Sequence, residues 1–185
     1  MKTDAFSDTR LVGGTALALQ IGHRKSIDLD LFGIINFSEL DKNKIFGQFK
    51  KVVTIKSSAN VNILLINDIK VDFVNYSYPW LEPVLIKNEI RLAGLKDIAA
   101  MKLAAITGRG YKKDFIDIYF LLNYYKMSEL LDFYSDKYDD GSMYMVIKSL
   151  TYFEDAEKDP MPEMIEDVSW EKVKETIILE IKKLV

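Results

Sequence analysis

The chain has no cysteine, a single histidine and only four prolines in 185 residues. Without cysteine there is no disulfide framework, no thiolate metal centre and no thiol nucleophile. One histidine also argues against a His-rich zinc site, so any metal chemistry falls to oxygen ligands, which suit Mg²⁺ or Mn²⁺. No segment reads as a signal peptide and no long uncharged apolar run is present. The expectation is a cytoplasmic protein with no membrane partner.

What remains is an ordinary globular composition, 49% hydrophobic and 29% charged. The length suits one domain, or one domain with a helical extension, and allows a real core. Charge is spread unevenly. Residues 1–128 hold 18 Lys and Arg against 13 Asp and Glu, whereas residues 129–171 hold 3 against 13. A polyanionic ligand is expected on the first part. The acidic stretch is either a solvated face or the complement of a basic partner.

The hydrophobic pattern predicts an α+β chain: a small mixed sheet with flanking helices over residues 1–92, then a helical region over 93–185. "RLVGG" reads as a short strand turning at its Gly pair into the helix "TALALQI", and "SIDLDLF" reads as a strand. "SELDKNKIFGQF" reads as an amphipathic helix with Ser38 as N-cap and Asp41 three residues on. "KVVTIKS", "VNILLI" and "KVDFVNY" are β-rich, with Asn67-Asp68 as a hairpin turn between the last two. "LKDIAAMKLAAIT" and "DFIDIYFLLNYY" have helical length, separated by "GRGYKK". Further helices are expected near 128–138, 142–157 and 169–185, with "KDPMPE" as a breaker.

The chemistry concentrates in "GGTALALQIGHRKSIDLDLF", residues 13–32. If Asp28 and Asp30 share a strand, they project to one side, with Ile27, Leu29 and Leu31 turned to the core. Two like charges on one low-dielectric face are unfavourable unless a cation is shared between them. A bare D-x-D can equally be a polar edge. Asp72, alone in a second apolar β run, shifts the balance: beside the first strand it completes the carboxylate set that holds metal ions in phosphoryl transfer, and can take a proton from an attacking hydroxyl. Gly13 and Gly14 open a helix whose free N–H groups can face an anion, and Thr15 adds a hydroxyl.

These residues resemble the first signature of the AbiEii-like nucleotidyltransferases, toxins of type IV toxin–antitoxin systems within the DNA polymerase β-like superfamily. The likeness includes "HRKS" ahead of the acidic pair and "LKDIAAMKLAAITGRGYKKDFIDIYFLL" later, so that it runs over residues 11–122. It implies a nucleotidyltransferase core with a helical region packed over the active site. It also implies transfer of a nucleoside monophosphate from an NTP to an acceptor hydroxyl with Mg²⁺, an RNA end such as that of tRNA as candidate acceptor, and a cognate antitoxin. Carried onto this sequence, Asp28, Asp30 and Asp72 are metal ligands and catalytic groups together with Lys102. Gly13, Gly14, Thr15, Arg24, Ser26, Lys113, Asp114 and Asp117 are the nucleotide-binding set.

Read from their own spacing, several of these stay ambiguous. Lys102 either snorkels from an apolar helix or neutralises triphosphate. Asp114 and Asp117 share a helix face, and Asp117, set among Phe115, Ile116, Ile118 and Tyr119, needs a cationic partner such as Lys102, Arg109 or Lys113. Lys112 and Lys113 either bind phosphate or are solvated. Arg24 either grips phosphate or pairs with Asp28 or Asp30, and His23 is expected to hold the loop rather than move protons. Family members commonly carry a longer segment ahead of the Gly pair. With the acidic stretch, that leaves as an alternative a reduced module that binds nucleotide or a protein partner; an enzyme acting on a small aminoglycoside-like acceptor is another, since the modest positive balance of residues 1–128 does not separate RNA from a small acceptor.

Overall fold

In a computed structural model the described residues are 6–35 and 44–184. Among them, β1 (Arg10–Val12), β2 (Leu29–Gly33), β3 (Val52–Ser57), β4 (Val61–Ile66), β5 (Ile69–Asn75), β6 (Leu85–Lys87) and β7 (Ile90–Leu92) form one mixed sheet. Its order is β3-β4-β5-β2-β1-β7-β6. The helices are α1 (Gly13–Ile21), α2 (Leu95–Gly108), α3 (Lys112–Leu121), α4 (Met127–Lys137), α5 (Met143–Leu150), α6 (Glu154–Glu157) and α7 (Trp170–Lys182). The class is α+β, as expected.

Two of the hairpins in the sheet turn on residue pairs of left-handed conformation. Asn67 and Asp68 both have positive φ, 48° and 68°, the requirement of a tight two-residue turn matched to strand twist. Asn88 and Glu89 repeat that geometry at 49° and 62° and create β6–β7, a hairpin the sequence reading did not expect because Glu, unlike Asp or Asn, is not a turn-forming residue. The Ser38 cap and Asp41 lie outside the described residues; residues 44–46 are helical. The expected helix over 142–157 is two helices, α5 and α6, interrupted at residues 151–153.

One apolar cluster joins the sheet to the helices. Leu11, Leu17 and Leu92 pack with Leu103, Phe115, Leu130, Val146 and Val173, all buried. A second cluster, built on Phe6, Ile45, Leu64, Val71 and Phe73, is joined to the first through Leu29 and Leu31 of β2. Ile27 does not share that fate: it is 73% exposed. The reason is that β2 starts at Leu29, so Ile27 and Asp28 precede the strand rather than belong to it. The Thr15 hydroxyl donates to the Asp28 carbonyl, occupying an acceptor that a longer strand would need for its ladder.

Candidate active site

β2 and β5 run parallel, and Asp30 and Asp72 are register partners. Aligned residues of neighbouring strands, about 4.8 Å apart, put their side chains on the same face. Both line a cleft of about 390 Å³, together with Gly13, Lys102 and Arg109. Asp28 does not line it, although it is near enough to raise Asp30 electrostatically. The expectation of Asp28 and Asp30 on one strand face is thus corrected: Asp30 belongs to the strand and Asp28 to the loop ahead of it.

The Asp30 carboxylate makes no hydrogen bond or ion pair among the described residues. Burial pushes its carboxyl above the usual carboxylate range, and the neighbouring charge of Asp72 pushes it further. Asp72 is held differently. Lys70, two positions earlier on the same strand face, places its ammonium 2.6 Å from each Asp72 oxygen. Sequence reasoning passed over Lys70, although its spacing from Asp72 is the signal that would have found it. Among the described residues no three carboxylates or imidazoles form a ready-made metal cage.

The glycine pair fits closely around these groups. Gly13 has φ +68°, and a Cβ there would collide with the Asp30 carboxylate; one at Gly14 would collide with the Arg24 guanidinium. The helix N-terminus carries no side-chain cap, so its first N–H groups stay available to an anion. The Thr15 hydroxyl, in contrast, is engaged with Asp28 and lies 2.9 Å from the Ser26 hydroxyl. That contact ties Ser26 to the start of α1. Thr15 thus braces the loop rather than facing the cleft.

Beneath the cleft lies a buried ionic cluster. Asp117, fully buried, receives Arg24 Nε at 2.7 Å and Nη2 at 2.8 Å. It also contacts His23 Nε2 at 2.7 Å and Lys102 Nζ at 2.6 Å. Asp114 takes Lys102 at 2.7 Å and Arg109 at 3.0 Å. Of the carboxylates open to Arg24, the structure pairs it with Asp117 rather than with Asp28 or Asp30. Burial alone would raise both carboxyls. For Asp117 the Lys102 ammonium outweighs it, helped by His23 and Arg24; for Asp114 Lys102 and Arg109 do so, and both groups are held below the carboxylate range. The three permanent cations exceed the two carboxylates, so the floor keeps net positive charge. Lys102 and Arg109 expose that excess to the cleft.

Lys112 and Lys113 stand apart. Lys112 is buried, donating to the carbonyls of Glu157 at 3.3 Å and Asp159 at 2.5 Å, while the Asp159 carboxylate accepts the Lys112 backbone N–H at 2.9 Å. Lys113 lines a separate hollow with Tyr111, Asp159 and Pro160. The acidic stretch is partly neutralised within the chain. Its 163–166 segment latches the HRKS loop: Lys25 N–H donates to the Glu163 carbonyl at 2.8 Å, and Ile165 N–H to the His23 carbonyl at 2.9 Å. The Lys25 ammonium also pairs with the Glu163 carboxylate.

Residues 2–183 match the family described as nucleotidyl transferase AbiEii toxin, type IV toxin–antitoxin system. An uncharacterized protein of Aquifex aeolicus (strain VF5) is 37% identical over 185 residues, covering 96% of this chain and 88% of that protein. Among solved structures, a candidate nucleotidyltransferase of H. pylori aligns with TM-score 0.62 and 21% identity, over 97% of this chain and 89% of the other. MenT4, the nucleotidyltransferase toxin Rv2826c of Mycobacterium tuberculosis H37Rv, aligns with TM-score 0.57 and 16% identity, over 100% and 79%. At those identities the structural likeness speaks for the fold; the family match carries the membership. The chain belongs to the AbiEii nucleotidyl transferase toxin family and is a nucleotidyltransferase.

Proposed function

We propose that the cleft between β2, β5 and α2 transfers a nucleoside monophosphate from an NTP to an acceptor hydroxyl, whose oxygen bonds the α-phosphorus as the α–β anhydride breaks and pyrophosphate leaves, with a divalent cation held by Asp30 and Asp72 and approached by Asp28. The observation that carries this reading is the Asp30–Asp72 register pair, one member of which is desolvated and has no cation of its own. Such a pair suits a hard dication, whose charge removes the repulsion between the carboxylates. When bound, Mg²⁺ or Mn²⁺ would supply charge neutralisation to the reacting phosphate.

The chain's own groups divide the remaining work. The first N–H groups of α1, which has no side-chain cap, bind phosphate oxygens, while the bare glycines seat the Asp30 carboxylate and the Arg24 guanidinium against that end of the helix. Lys102 and Arg109 hold the opposite wall positive, and Lys102 has three N–H groups for two carboxylate contacts, so one remains for a ligand. Asp72 Oδ accepts the proton of the attacking hydroxyl. Residues 93–185 act as the half that closes over the nucleotide, through α2. An RNA end, as the acceptor, and a cognate antitoxin, as the inhibitor, complete the reading. No helix among the described residues is long and apolar enough to cross a membrane.

The test is direct. Purified protein is incubated with each α-labelled NTP, Mg²⁺ and total RNA, beside Asp30→Asn and Asp72→Asn. Labelled RNA from the wild-type protein alone supports the proposal. Labelling that survives both substitutions removes it.

A further inference from the structure

Phe32, Tyr76 and Tyr138 form an aromatic wall on the same cleft as Asp30 and Asp72. The rings of Phe32 and Tyr76 lie 5.3 Å apart, and the phenol oxygens of Tyr76 and Tyr138 are 2.9 Å apart in a hydrogen bond. Behind them the wall is anchored. Trp80 packs tilted at 44°, its ring 5.3 Å from that of Tyr76, and the Lys137 ammonium sits 5.1 Å from the Tyr76 ring and 4.7 Å from Trp80. Lys137 is buried and tied to Asp97 at 2.7 Å and to the Pro79 carbonyl at 2.6 Å. Asp97 in turn accepts the backbone N–H groups of Leu81 and Glu82, fixing the loop that carries Trp80.

A wall of this kind is of no use to phosphate or to a metal ion. Burial raises both phenols, Tyr138 to about 12, so the surface stays neutral: ring faces and a hydroxyl pair. Its complement is a flat, polar-edged heteroaromatic ring. Aromatic faces held rigidly lose little freedom when a base stacks on them. From this geometry we infer that Tyr76 and Tyr138, backed by the Asp97–Lys137 pair, form a stacking subsite for a nucleobase, that of the incoming nucleotide or that of the acceptor end. The inference rests on the reading of the cleft as the site of nucleotidyl transfer, and names what lies beside the phosphates there.

Calorimetric titration separates the possibilities. The wild-type protein, Tyr138→Ala and Tyr138→Phe are titrated with each of the four NTPs, with inorganic tripolyphosphate and with a short oligoribonucleotide, all in Mg²⁺. The Ala variant is expected to lose roughly 5- to 100-fold affinity for NTP or for the oligonucleotide, with tripolyphosphate unchanged and the Phe variant within about two-fold of wild type. Loss toward NTP assigns the wall to the incoming base, and loss toward the oligonucleotide assigns it to the acceptor. An Ala variant that binds both as tightly as wild type overturns the subsite. If the Ala variant fails to melt cooperatively, Tyr138→Leu, which keeps apolar volume without a ring face, takes its place. Asp30→Asn distinguishes the two levels. Should it leave tripolyphosphate and Mn²⁺ affinity unchanged, the transfer site itself fails; should it weaken them while Tyr138 proves indifferent to bases, only the stacking subsite fails.

Discussion

Arg24 and Asp117, 93 residues apart in the chain, meet in a two-point ion pair that is almost wholly buried. The pair ties the loop ahead of β2 to the helix that carries Asp114, and therefore holds the acidic strand against the cationic floor. A buried carboxylate with three cationic or imidazole partners is costly to remove, because the partners stay behind unpaired.

Asp117→Ala is accordingly expected to destabilise the fold by about 3–5 kcal/mol, seen as a lower urea midpoint with an unchanged slope. Arg24→Lys keeps the charge but not the two-point geometry, and should fall between wild type and the Ala variant. An Asp117→Ala protein as stable as wild type would show that the cluster contributes nothing.

The same carboxylates set the response to acid. Asp114 and Asp117 are held below their unfolded values by Lys102 and their other partners, against burial. A depressed folded value means that their stabilisation is complete above the unfolded value, about pH 4, and is lost as pH falls through the folded values. Unfolding free energy measured from pH 6 down to 2 should fall most steeply below about pH 4. Replacing Asp117 by Asn should flatten that fall.

Asp30 carries the opposite sign. Burial and Asp72 raise its folded value, so its charged form opposes folding at neutral pH. Asp30→Asn should therefore raise the melting midpoint of the metal-free protein by about 2–4 °C, the span that roughly 1 kcal/mol covers at this chain length, while abolishing transfer. A stabilised and inactive variant is the mark of a residue kept for chemistry at the expense of the fold. A lower midpoint would contradict the assigned electrostatics.

Gly13 offers a geometric test. At φ +68°, with the Asp30 carboxylate where a Cβ would lie, Gly13→Ala must displace Asp30 and strain the start of α1. Displacement of a catalytic group by about 1 Å costs on the order of 100-fold in rate. Transfer assays on a folded Gly13→Ala protein should show that loss. Wild-type rates would mean that the glycine is only a turn residue.

How much of this was legible beforehand depends on how local each signal is. The Gly pair, the Asn67-Asp68 turn and the alternation around Asp72 are read from neighbours alone, and the structure has β1, α1, β4 and β5 close to where the pattern put them. The partners of buried charges are not local. Arg24 had several carboxylates within reach on paper, and its choice of Asp117 depends on where α3 docks, a tertiary fact. Asp97 and Lys137 were not singled out from the sequence, yet they are buried against each other, because α2 and α4 pack face to face. The start of β2 was misjudged by three residues, Ser26 instead of Leu29, because a side-chain hydroxyl from α1 takes the Asp28 carbonyl. The acidic 163–166 latch on the HRKS loop was equally out of view: charge counts suggested a complement for the acidic stretch but could not say that part of it is the chain's own backbone.

The central claim is that Asp30 and Asp72 together hold a dication. Electron paramagnetic resonance titration of Mn²⁺ measures this without any substrate. The account predicts saturable binding by the wild-type protein, weakened at least ten-fold by either Asp30→Asn or Asp72→Asn, since each removes one of two hard charged ligands. Binding of equal strength in all three proteins would contradict it.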